Sequence, residues 1–80
     1  MDDKELLTRI QQLVQEEHDL THKEEAGELE DPDHQRMHSL EVALDQCWDL
    51  LRQRRARRDM GMDPDEAKPR DPQVVEGYLQ

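Results

Sequence analysis

Phenylalanine is absent from this chain, tryptophan and tyrosine occur once each, and only 32% of the residues are hydrophobic. A core must therefore be assembled from Leu, Val, Ile and Met, and 80 residues leave room for one domain. Cysteine is nearly missing too. Cys47 stands alone, so no internal disulfide can form, which agrees with a reducing compartment. No apolar run approaches the roughly 20 residues that cross a bilayer, and the Asp2-Asp3 start is the opposite of a basic signal-peptide segment. These absences predict a cytoplasmic chain without a membrane anchor. Basic residues are outnumbered, 11 against 21 acidic, for a net charge of -10. Such a charge density, with a mean hydropathy of -1.22, would suit a disordered chain, but the apolar residues are regularly spaced and predict order.

That spacing divides the chain in three. Asp2 can cap a helix with Glu5 at the capping-box position, and Leu6, Leu7, Ile10, Leu13, Val14 and Leu20 then recur at helical intervals. Gly27 offers a left-handed stop, which predicts a helix over about 3–26. Asp31 followed by Pro32 reads as an N-cap and first helical residue. Met37, Leu40, Leu44, Cys47 and Leu51 step by three and four toward Gly61, predicting a second helix over about 32–60. Asp63-Pro64, Pro69 and Pro72 then forbid a long helix, so residues 62–80 read as an extended tail.

Helices joined by so short a link run antiparallel, which makes the fold class all-α: a hairpin over residues 1–61 with coiled-coil-like stripes facing one another. Folding about the link sets Leu20 near Leu40, Leu13 near Cys47 and Leu6 near Gln53. It also brings the arginines at 52, 54, 55, 57 and 58 beside Asp2, Asp3 and Glu5. Segment charges match this polarity: -9 over residues 1–35, +2 over 36–60 and -3 over 61–80.

Two helices alone bury too little to be stable. Leu7, Val14 and Trp48 are left over at heptad e positions, on one flank of the hairpin. A homodimer closing a four-helix bundle over that flank is the economical solution. The rival is a tail that folds back, covering the same residues with Val74, Val75, Tyr78 and Leu79 of its own chain.

Catalytic signatures are lacking. Cys47 falls at an inward d position, as a small core residue would, and there is no phosphate loop, nucleophile elbow or metalloprotease motif. The acidic run from Asp59 to Glu66 fails as an EF-hand, because Pro64 and Arg70 occupy its glycine and glutamate positions. His18 and His22, and likewise His34 and His38, are spaced four apart and would sit at similar heights. They fall away from the inward stripes, so neither a metal nor another cofactor is expected.

The arginine cluster, Arg52, Arg54, Arg55, Arg57 and Arg58, remains the sharpest functional feature. It could meet phosphates, yet an acidic chain repels polyanions and no aromatics interleave with the arginines, so nucleic acid is disfavoured. A cytosolic protein partner suits a dipolar surface better, with the Val74, Val75, Tyr78 and Leu79 tail as a second contact. The segment Leu44-Asp-Gln-Cys-Trp-Asp-Leu-Leu-Arg-Gln-Arg-Arg-Ala-Arg-Arg58, the Asp63-Pro-Asp65 turn and the closing Val74-Val-Glu-Gly-Tyr-Leu79 resemble a family of short actinobacterial proteins of unknown function. The resemblance implies a free-standing bacterial protein and brings no activity or site residues with it. The reading from the residues is thus a non-enzymatic, dimeric helical interaction module.

Overall fold

The computed structural model describes residues 1–71, and the tail residues Val74, Val75, Tyr78 and Leu79 lie outside the described part. Two long helices, α1 (Asp3–Glu25) and α2 (Asp31–Asp59), pack against one another, and a single 3-10 turn, η1 (Pro64–Glu66), follows. There is no strand among the described residues.

Each helix end has a local cause. The Asp2 carboxylate accepts from the Glu5 N–H at 2.8 Å, closing the first turn of α1. At the other end Gly27 takes φ 71°, so its N–H reaches the Glu24 carbonyl and the Glu28 N–H reaches the Lys23 carbonyl. Gly61, at φ 73°, repeats this closure on α2 through the carbonyls of Arg58 and Arg57. The helices stop one residue before the expected ends, with Ala26 and Met60 as caps.

The start of α2 differs from the sequence reading. Glu30, not Asp31, is the N-cap, and Asp31 and Pro32 are the first two helical residues. Asp33 explains the shift, because its carboxylate accepts from the Glu30 N–H at 3.1 Å and from Lys23 Nζ at 3.2 Å. One side chain thus caps α2 and ties it to the end of α1.

The core is two small clusters. Ile10, Leu13, Leu20, Leu40 and Leu44 form one, flanked by Met37, Ala43 and Cys47. Leu6, Leu50 and Leu51 form the other, with Ala67 of the tail packed against them. The expected neighbours Leu20 and Leu40 share the first cluster, as do Leu13 and Cys47. Leu6, by contrast, meets Leu50 and Leu51 and not Gln53, whose amide is drawn to Asp49 and to the tail. Fully burying a leucine contributes about 1.5–3 kcal/mol, so a core this short leaves a modest margin over chain entropy.

Outside the core, Arg36 of α2 makes a two-pronged pair with Glu16 of α1, its Nε 3.1 Å from each carboxylate oxygen. Both occupy g positions, as antiparallel pairing requires. The tail folds back beside this same side of α2. Gln53 donates to the Lys68 carbonyl at 3.0 Å and Gln46 donates to the Arg70 carbonyl at 3.2 Å.

No atom lies within 4 Å of the place a Cβ would take at Gly27. Gly27→Ala should therefore cost only the left-handed backbone penalty, about 1–2 kcal/mol. A fall in the urea midpoint with the slope unchanged would show it; an unchanged midpoint would contradict the assignment.

Candidate functional site: the arginine end and the exposed flank

The five arginines are not equivalent. Arg54 stands at an inward position one turn beyond Leu50 and Leu51 and is itself buried. Its Nε lies 2.7 Å from Asp3, while its Nη1 reaches Asp65 at 3.0 Å and the Pro64 carbonyl at 3.1 Å. A guanidinium suits this place, since it stays charged and offers forked donors to partners in different directions. Arg58, one turn on, takes the second Asp3 oxygen at 2.6 Å. Arg57 faces Glu66 at 3.6 Å.

Asp3 alone among the expected N-terminal carboxylates meets the cluster. Asp2 is spent on the cap, and Glu5 takes part through its backbone N–H. The sequence reading missed the other acceptors, Asp65 and Glu66, which η1 delivers once Asp63 has capped it through the Asp65 N–H at 2.9 Å. The Asp63-Pro64 pair was the available signal. Arg52 and Arg55 are left exposed, without an ion pair to any described residue.

A second polar contact was also unforeseen. Asp49 is buried although it stands on the side of α2 away from α1. Gln53 donates to it at 2.9 Å and Arg70 Nε lies 3.3 Å from it, so the returning tail makes the burial. A buried carboxylate needs such partners. No buried side-chain polar atom among the described residues lacks a hydrogen-bond partner.

No described residue covers the opposite flank in this way. Leu7 is 45% exposed, Val14 46% and Trp48 43%, all large apolar side chains. Trp48 is therefore not a core residue of the described hairpin. Arg52 and Arg55 follow it at one and two turns, so Trp48, Arg52 and Arg55 share a stripe of α2.

The histidines divide. His18 and His22 meet, Nε2 to Nε2 at 3.0 Å with rings edge to face, and His22 Nδ1 faces Glu25 at 3.8 Å. The fourfold cluster that the spacing suggested does not form: no three His, Cys, Asp or Glu side chains gather as metal ligands among the described residues. Cys47 is half-buried, and burial pushes its thiol pKa up, away from the nucleophilic thiolate. No helix among the described residues is long and apolar enough to cross a membrane.

Residues 2–80 match the family described as "Protein of unknown function (DUF2630)". The chain belongs to this family. It is 48% identical over 77 residues to the uncharacterized protein Rv0898c of Mycobacterium tuberculosis (strain H37Rv), covering 95% of this chain and 88% of that one. The uncharacterized protein Mb0922c of Mycobacterium bovis is similar to the same degree, 48% over 77 residues, with the same coverage of both chains. No solved structure matches. Membership accounts for the resemblance carried by the Gln46-Cys47-Trp48 segment and its arginines, and it covers almost the whole length of these relatives.

Asp3 connects this site to pH. Arg58 and then Arg54 hold its carboxyl at about 2, below the ordinary 3.8. A pKa lowered by folding gives stability that is fully present above the unfolded value and is lost as pH falls through the folded one. Asp3→Asn should therefore lower the urea midpoint at neutral pH, and its deficit should fade as pH drops from about 3.8 to about 2. Urea titrations across that range test it; a deficit independent of pH would place the effect elsewhere.

Proposed function

We propose that this protein is a non-enzymatic helical interaction module that works as a homodimer in the cytosol. The observation that carries this reading is the flank on which Leu7, Val14 and Trp48 stay 43–46% exposed in the single chain. Three large side chains left this open on so polar a protein form a patch of the kind that marks an interface. Pairing two hairpins over it yields a four-helix bundle and gives each short core the second layer it lacks. The charge distribution supports a protein partner over a polyanion. Arg54, Arg57 and Arg58 are answered by Asp3, Asp65 and Glu66 of the same chain, which leaves Arg52 and Arg55 as outward cations on a chain of net charge -10. A pair of arginines beside an exposed tryptophan suits an acidic, partly apolar protein surface.

Sedimentation equilibrium at tens of micromolar should give twice the chain mass. Trp48→Ala should weaken self-association by about a hundredfold, the scale of losing a central aromatic contact, with the helical circular dichroism of the monomer retained. A wild-type chain of monomeric mass would overturn the dimer.

A further inference from the structure

The e positions of α2 read Glu41, Trp48 and Arg55, seven residues apart in each direction. All three are exposed, and neither Glu41 nor Arg55 has an ion pair among the described residues. The stripe thus has an acid on one side of the tryptophan and a base at the same distance on the other. A two-fold axis through Trp48, perpendicular to the helix, superposes each charge on its opposite.

The α1 side of the flank lies near that centre. Leu7 follows Leu6, which packs on Leu50 and Leu51, and Val14 follows Leu13, which packs in the cluster of Leu44 and Cys47. Leu7 therefore stands close to the level of Trp48 and Val14 about two turns nearer the link, both on the same flank as the tryptophan. The same axis opposes the stretch of one copy that holds Leu7 and Val14 to that of the other.

Resting on the dimer proposed above, we infer that the two copies pack flank to flank about an axis lying across the helices. Each helix then meets its own counterpart antiparallel: Trp48 against Trp48 at the centre, Arg55 against Glu41 twice, and the stretches of the two α1 helices that hold Leu7 and Val14 against one another. An isologous interface repeats every contact in this way. The other face-to-face arrangement has its axis along the helices and stacks α1 on α2. By the register that the core sets, this brings Glu41 level with Val14, since Glu16 lies on the other flank and is held by Arg36, and brings Arg55 level with Lys4. Like charges opposed across an interface are unfavourable, so the crosswise axis is the one this flank fits.

Charge exchange separates the possibilities. Glu41→Arg and Arg55→Glu, each alone, should weaken the dimer by about tenfold or more, read by sedimentation equilibrium at low salt, and the loss should shrink as salt rises. The double exchange E41R/R55E should restore the wild-type affinity. Two single variants that lose affinity and a double variant that loses more would sink the crosswise axis while leaving the Trp48-dependent dimer intact. Single reversals without effect, on a dimer still abolished by Trp48→Ala, would also sink it. A wild-type chain that stays monomeric removes the dimer and the axis together, and favours the chain's own tail as the cover of this flank.

Discussion

Everything at the open end of this hairpin depends on one buried guanidinium. Arg54 receives the start of α1 through Asp3 and the turn after α2 through Asp65 and the Pro64 carbonyl. Three stretches of chain with little apolar material are thereby held at a point where hydrophobic packing is running out. Removing a charge from water is costly, and the cost is offset only when several acceptors replace the lost hydration. Such acceptors come from two directions here. That is why the chain turns back after Asp63-Pro64.

The rest of the fold is a compromise between a poor hydrophobic supply and a rich electrostatic one. Among the described residues eight buried aliphatic side chains form the core, too few to fill a second face on either helix. Polar links therefore supplement the two apolar clusters along the hairpin: Lys23 with Asp33 at the closed end, Arg36 with Glu16 in the middle, and Arg54 and Arg58 with Asp3 at the open end. Exposed pairs of this kind stabilise weakly one by one. Their distribution nevertheless specifies which faces meet, because sliding the register would break all of them together. The flank of α2 on the g side is then closed by residues 67–70, and among the described residues the e side keeps Leu7, Val14 and Trp48 open.

Much of the architecture was legible from spacing alone. Periodicity reports which residues share a helix face, and glycine reports where a helix can turn left-handed, so both helices and their ends were within reach. The e-position residues were recognised as unsatisfied for the same reason. Burial of Asp49 was not legible, since it stands away from the apolar stripe and is covered by a segment that has no periodicity. The engagement of Asp65 and Glu66 was equally hidden: it depends on the direction in which a single 3-10 turn sends the chain. Glu30 as the cap of α2 escaped because Asp31-Pro32 is the stronger local signal, and the decisive group, Asp33, is shared with Lys23 of the other helix.

The sequence by itself therefore determined the elements, their antiparallel pairing and the acid–base polarity, all of which follow from local stereochemistry and from the repeat of apolar residues. Only the tertiary structure decided which charges remain outside. Five arginines in seven residues are identical as a string, but a helix turns each toward a different neighbour, and distance rather than composition determines neutralisation. Arg54, Arg57 and Arg58 fall within reach of carboxylates brought from far along the chain, whereas Arg52 and Arg55 fall beside Trp48.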